Sequence, residues 1–153
     1  MSRSVAWRRR APVGFEGLVE EAQEARYLLV DTPGPTSFVL QPPPPAPPPV
    51  SSQEGGGEGE RGPHSHVLAP SRRRKSKVVK VLLGDGHQCS CSRHVRARRK
   101  KGTAAEHCVH IVYVLIRLCG VGERDPLLWQ LALTQPELAR LLSRRAGGGG
   151  EEW

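Results

Sequence analysis

The stretch that decides the fold is Gly86–Leu115, GHQCSCSRHVRARRKKGTAAEHCVHIVYVL, which holds three of the four cysteines in a chain of 153 residues. Cys89 and Cys91 stand one residue apart; Cys108 and His110 repeat that spacing after sixteen intervening residues, 92–107. Upstream, Val78–Leu83 is β-branched and apolar and is followed by Gly84-Asp85-Gly86, a composition that closes hairpins. A chain that turns there returns as a short strand over 87–92. Period-two alternation then puts Cys89 and Cys91 on one face and Gln88, Ser90 and Ser92 on the other. Downstream, residues 106–119 are apolar on nearly all sides and read as the central buried helix, ended by Gly120 and Gly122. Cys108 lies just before that helix and His110 in its first turn, where the bend of the backbone lets both face one point.

Three thiolates and an imidazole suit zinc, which takes four such ligands in a tetrahedron. A lone cysteine is more often a small buried hydrophobe, but two pairs in strand-then-helix order point to one metal site. The expected ligands of a single structural Zn²⁺ are therefore Cys89, Cys91, Cys108 and His110. His107 is the main alternative to His110, and His87 and His94 are weaker ones. Cys119 is nine residues past His110 and reads as a core or interface thiol; His64 and His66 fall in the linker.

The rest of the chain frames this unit. Phe15–Ala25 carries Phe15, Leu18, Val19 and Ala22 at helical spacing with acids between them. Arg26–Val30 and Ser37–Gln41 read as strands of a hairpin around the turn-forming DTPGPTS. Residues 41–76 begin with seven prolines between Pro42 and Pro49 and continue through a Gly/Glu spacer into RRRKSK. Such a composition lacks the apolar surface to offset the entropy of ordering. It is expected to be a disordered linker, with the proline run either an SH3 or WW ligand or a plain spacer. After the central helix, Asp125-Pro126 supplies an N-cap and a proline at N1 ahead of LLWQLAL. Thr134-Gln135-Pro136-Glu137 is a capping-box pattern ahead of a last helix lined by Leu138, Leu141 and Leu142. The expected organisation is a basic disordered N-terminus (1–14), helix and β-hairpin (15–40), linker (41–76), zinc unit (77–122), C-terminal helical hairpin (123–146) and disordered tail (147–153). The fold class is α+β: a zinc-stabilised ββα core with flanking helices.

The arrangement resembles the SWIM-type zinc finger, C-x-C, a variable loop, then C-x-H. Cys89, Cys91, Cys108 and His110 fall on that signature in order. The segments ARYLLV, GPTSFVL, VLLGDGHQCSCS, CVHIVYVLIRL and WQLAL…ELARLL extend the likeness to the N-terminal SWIM region of vertebrate ubiquitin-protein ligases that also carry ZZ and RING fingers. The long Pro/Gly insert and the long basic loop after Ser92 depart from the pattern, and neither removes a ligand. The resemblance implies a module that recognises a protein partner or ubiquitination substrate, or a nucleic acid. A RING needs eight ligands for two zincs, and no cysteine or histidine follows Cys119, so the ligase chemistry of such relatives has no counterpart in this chain. No phosphate-binding loop or Ser/His/acid set stands out.

Net charge is +8, and RRRKSK (Arg72–Lys77) with RHVRARRKK (Arg93–Lys101) supplies eleven positive side chains. Arg93, Arg96, Arg98, Arg99, Lys100 and Lys101 form a basic loop pinned between the two ligand pairs. It reads as solvated flanking charge, as an import signal, or as a phosphate-backbone contact. No aromatics interleave with these charges, which argues against stacking on single strands. No run of eighteen apolar residues exists, so no membrane span is expected. The N-terminus lacks the apolar core of a secretory signal, and free or metal-bound cysteines fit an intracellular protein of cytoplasm or nucleus.

Overall fold

The computed structural model describes residues 5–44, 77–99 and 107–147. Of the expected linker (41–76) and tail (147–153), residues 45–76 and 148–153 lie outside them, while Gln41 ends a strand and Gly147 ends a helix.

Helix α1 (Phe15–Glu24) starts after Gly14, whose φ of 80° supplies the left-handed step into the helix. It buries Phe15, Val19 and Ala22, the stripe its spacing demands. Strands β1 (Leu28–Gly34) and β2 (Ser37–Gln41) form the expected antiparallel hairpin. β1 runs further than its composition suggests, through Pro33 to Gly34, so the turn shrinks to Pro35-Thr36. Proline is tolerated because β1 is an edge strand, and the register shifts between Leu29 and Asp31 and between Asp31 and Gly34 absorb the misfit.

Strand β3 (Val79–Leu82) pairs antiparallel with β2, joining the elements on either side of residues 42–78 into one sheet of order β1-β2-β3-β4. Val39 faces Lys80 and Leu40 faces Val79 in that register. Its inner face buries Phe38, Leu40 and Val81, and helices cover that face. Leu28, Val30 and Leu82 are exposed. This is the mixed α+β architecture expected.

Four local expectations change. The returning strand β4 is only Gln88–Cys89, not 87–92. Ser90 leaves the ladder, although its hydroxyl accepts from the Lys80 N–H at 2.9 Å and its own N–H donates to the Lys80 carbonyl at 2.9 Å. The basic loop is in large part a helix, α2 (Ser92–Arg99), with residues 100–106 outside the described set. The central helix is α3 (Val109–Tyr113) continued by a π turn, Val114–Leu118, in which the Cys119 N–H donates to the Val114 carbonyl at 2.9 Å. The wider turn keeps Val114, Leu115 and Cys119 buried together. Gly120 then reverses the chain at φ 65°.

The first half of the expected helical hairpin is a single 3-10 turn, Pro126–Trp129, capped by Asp125 Oδ1 accepting from the Leu127 N–H at 2.9 Å. Leu131–Leu133 then runs alongside the β3–β4 turn: the His87 N–H donates to the Leu131 carbonyl and the Leu133 N–H to the Gly84 carbonyl. Tertiary pairing and burial of Leu131, Ala132 and Leu133 override helix propensity there. Helix α4 (Gln135–Gly147) begins at the capping box, with Glu137 Oε2 accepting from both the N–H and the hydroxyl of Thr134. Leu138 and Leu141 are buried and Leu142 is half-buried.

The N-terminus also departs from expectation. Buried Gln130 accepts the Arg8 N–H at 2.9 Å and donates back to the Arg8 carbonyl at 2.8 Å, while Trp129 Nε1 donates to that carbonyl at 3.1 Å. Residues near Arg8 are thereby pinned to the 3-10 turn. Among the described residues no helix is long and apolar enough to cross a membrane.

Candidate metal centre

The end of β4, the first residue of a tight turn, and the start of α3 converge on one point. Cys89 sits on the last residue of β4 with its side chain buried among Val81, Ile111 and their neighbours in the core. Cys91 stands where α2 begins. Its carbonyl accepts from the Val95 N–H at 3.0 Å, and its Sγ accepts from the His94 N–H at 3.4 Å. A thiol thus occupies the N-cap position of α2, a role usually taken by Ser, Thr, Asp or Asn. Cys108 holds the corresponding place before α3, in extended conformation, and His110 follows in the first turn.

The ligand atoms of Cys89, Cys91, Cys108 and His110 all lie within 4.8 Å of one another. Tetrahedral zinc with Zn–S bonds of about 2.3 Å sets its sulfurs about 3.8 Å apart, so the group is close enough to hold a metal ion. No second set of three or more such donors comes that close among the described residues.

Hydrogen bonding favours the anionic form of these thiols, and burial opposes it. Cys89 Sγ accepts from the Cys91 N–H at 3.5 Å, as Cys91 Sγ does from His94. Such N–H···S contacts favour thiolate over thiol. The Cys89–Cys108 pair shares a proton unevenly. The hydrogen bond from Cys89 holds the Cys108 thiol down to about 4, with His110 acting in the same direction against the cost of burial. Cys89 is pushed up by that same bond to Cys108 and by burial. Burial raises Cys91 as well. A dication among them would remove the remaining protons, since metal ligation takes the deprotonated thiol. His110 Nδ1 is fully buried with no hydrogen-bond partner among the described residues, a state it shares with His87 Nε2 and His107 Nε2, so the convergence of the four donors is what marks the site as suited to a cation. A buried polar atom with nothing to bond is costly, and a metal ion would satisfy it.

The other histidines go elsewhere. His107 is 8% exposed, packed edge-on against Phe15 at 5.9 Å and His87 at 5.5 Å, and is not a member of the donor group. Burial, with His87, Arg8 and His94 nearby, lowers its pKa to about 3. Burial lowers His87 to about 4. His94 is buried beside them and contributes its backbone N–H to Cys91 rather than its ring to the donor group. Cys119 is 1% exposed, lies outside the group, and burial pushes its thiol up to about 11, as befits a core residue.

One neighbour escapes sequence reasoning. Tyr27 stacks tilted on the His110 ring at 4.9 Å and meets Tyr113 edge-on at 5.1 Å, while the Tyr113 hydroxyl donates to the Tyr27 carbonyl at 2.9 Å. Burial raises the Tyr27 pKa, and Glu21, Cys108, Cys91 and Cys89 add to the effect. This aromatic cover fixes the imidazole plane, the kind of outer contact that orients metal ligands. No spacing rule connects residue 27 to residue 110, so only the fold reveals it. Of the basic residues, Arg93, Arg96 and Arg99 are exposed on α2; the side chain of Arg98, and Lys100 and Lys101 altogether, lie outside the described set. Comparison with protein-family models, with curated proteins and with solved structures found no match to this chain, so the reading of the centre rests on its own geometry.

Proposed function

We propose that the chain is a zinc-binding module of the SWIM type whose role is recognition of a protein partner, related to ubiquitin ligation. The observation that carries the metal assignment is the convergence of Cys89, Cys91, Cys108 and His110 within 4.8 Å, with His110 Nδ1 buried and otherwise unbonded. Three thiolates and one imidazole fill a tetrahedron and leave no position for an activated water, so the role assigned to the ion is structural. Bound there, zinc supplies a cross-link between β4, the α2 N-terminus and the α3 N-terminus. The residues themselves do the rest: Cys91 caps α2, Tyr27 orients His110, and the two thiol-bearing turns hold α2 and α3 against the sheet.

The SWIM assignment and the link to ubiquitin ligation rest on the sequence resemblance. The test is zinc stoichiometry by native mass spectrometry on the parent chain and on Cys91→Ser and His110→Ala. One zinc in the parent and its loss in both variants is expected. A parent chain that takes up no zinc, or a His110→Ala variant that keeps it tightly, overturns the assignment of the four ligands.

A second reading has its own observation. Arg93, Arg96 and Arg99 are exposed on α2, whose N-terminus is tied to the donor group through Cys91. A basic helix so displayed suits the phosphate backbone of a nucleic acid. Affinity for random DNA that falls steeply with salt and is reduced in Arg93→Gln/Arg96→Gln would favour this reading over protein recognition.

A further inference from the structure

On a chain of net charge +8, helix α1 carries Glu16, Glu20, Glu21 and Glu24 and no basic residue. Glu16 and Glu20 stand at i and i+4, a spacing at which like charges oppose the helix. Both are exposed, and among the described residues neither has an ion-pair partner. Glu16 lies in the first turn, where its charge complements the helix dipole, but Glu20 gains no such return and repels Glu16.

These carboxylates rim a groove of about 510 Å³ between α1 and residues 123–129. Phe15, Val19 and Trp129 make its apolar floor, and Glu123 faces Glu16 and Glu20 from the opposite wall. Among the described residues Arg124 is the lone cation lining it. The two walls are tied together: Gln23 Nε2 donates to Glu123 Oε1, and Arg117 Nη2 donates to the Gln23 carbonyl at 2.7 Å. Phe15 and Trp129 meet edge-on at 6.3 Å beneath them. The groove is therefore a preformed concavity of the size range that holds ligands, apolar at the bottom with charge at the rim.

We propose that this groove docks a segment of a protein partner that carries lysine or arginine flanking a bulky apolar residue. The apolar side chain covers the Phe15–Val19–Trp129 floor, and the flanking cations meet Glu16, Glu20 and Glu123. Charge complementarity selects this occupant. A nucleic acid is repelled by three carboxylates, and its favourable surface is α2, not this groove. The proposal deepens the recognition role and rests on it by naming the chemistry of the partner.

The test is a titration of the ¹⁵N-labelled full chain, zinc content measured in the same sample, with the synthetic peptide Ac-RLLKR-NH2 and with Ac-ELLQE-NH2. Saturable shifts at Val19, Glu20, Glu123 and the Trp129 indole N–H are expected with the basic peptide alone. Glu16→Gln/Glu20→Gln, an exposed pair of substitutions, weakens that binding roughly tenfold, as two surface charge pairs would. Arg140→Gln, an exposed substitution on α4, leaves it unchanged. No saturable shift, equal shifts with the acidic peptide, or equal binding by the double variant overturns the proposal. Self-association of the chain that disappears in the double variant overturns it in favour of a second copy, whose α2 would be the basic occupant. A folded chain that lacks zinc and binds the peptide sinks the zinc assignment and keeps the groove; a zinc-loaded chain that ignores the peptide does the reverse.

Discussion

Cys91→Ser separates two jobs done by one sulfur. Cys91 is a member of the donor group, and its Sγ also accepts the His94 N–H that caps α2. Serine is among the best N-cap residues, so this substitution removes a thiolate ligand while keeping a cap. Cys91 is also half-buried, so a hydroxyl there is not stranded as it would be at Cys108, which is 1% exposed. A structural zinc contributes about 10–16 kcal/mol to folding. One ligand of four carries roughly a quarter of that, about 3–4 kcal/mol, or two to three orders of magnitude in zinc affinity. A domain of this size has total stability of about 5–15 kcal/mol, so the loss is large. Cys91→Ala removes the cap too and falls a further ~1 kcal/mol. The assays are zinc affinity by competition with a chelating dye and thermal melting by circular dichroism. The expected order of stability is parent, then Cys91→Ser, then Cys91→Ala, with both variants weak in zinc. If Cys91→Ser holds zinc as tightly as the parent, or if a chelator leaves the melt of the parent unchanged, the convergence of these side chains is packing and not ligation.

Other outcomes bear on the core around the centre. His87 and His107 have folded pKa values of about 4 and about 3, below the ordinary 6.5, so the unfolded chain binds more protons between those limits. The stability they contribute is complete above pH 6.5 and is lost as pH falls toward 4 and 3. Competition of protons for the thiolates acts in the same direction, so urea denaturation at pH 7, 6 and 5 is compared between the parent and His87→Gln; the variant should show a shallower pH dependence, and an identical slope refutes the assignment. Cys119, outside the donor group with its thiol raised to about 11, should resist N-ethylmaleimide in the folded chain, and Cys119→Ala should keep its zinc. Loss of zinc in that variant places the thiol in the wrong role. Phe38 is fully buried with the Arg145 guanidinium 5.1 Å over its ring, so Phe38→Ala should cost about 3–5 kcal/mol by urea denaturation. A cost below about 1 kcal/mol would mean that the sheet face is not packed as described.

The sequence carried much of this because its strongest signals are local. Helix α1 and strand β2 follow from residue spacing, and the pairing of Cys-x-Cys with Cys-x-His follows from ligand chemistry. What was illegible depends on distant partners. The segment Leu131–Leu133 looks helical, but the Leu133 N–H donates to the Gly84 carbonyl and the Leu131 carbonyl accepts from the His87 N–H. Cys91 looks like a strand residue by alternation, yet β4 ends at Cys89 and the thiol serves a helix. Arginine and alanine in RHVRARR are good helix formers, but the stretch carries no apolar periodicity to mark a helix. The π turn and the cover of Tyr27 over His110 leave no mark in spacing at all.

The sheet is a meander in chain order, β1-β2-β3-β4, and its middle pair, β2 and β3, is joined through residues 42–78. Loop-closure entropy grows only with the logarithm of length, about 0.6 kcal/mol per doubling, so this junction tolerates insertions of almost any size. A backbone nick within 42–78 leaves the β1–β2 and β3–β4 pairs, the capped helices and all four metal-directed side chains on intact pieces, and only the β2–β3 pair bridges the two. The two described parts of the chain on either side of 42–78 are thus candidates for complementing fragments. The four metal-directed side chains all belong to the second half, while Tyr27, Phe38 and the acidic helix belong to the first. The donor group can accordingly be carried by one polypeptide, whereas the groove, walled by α1 on one side and by residues 123–129 on the other, is completed only when the β2–β3 ladder reunites the two pieces.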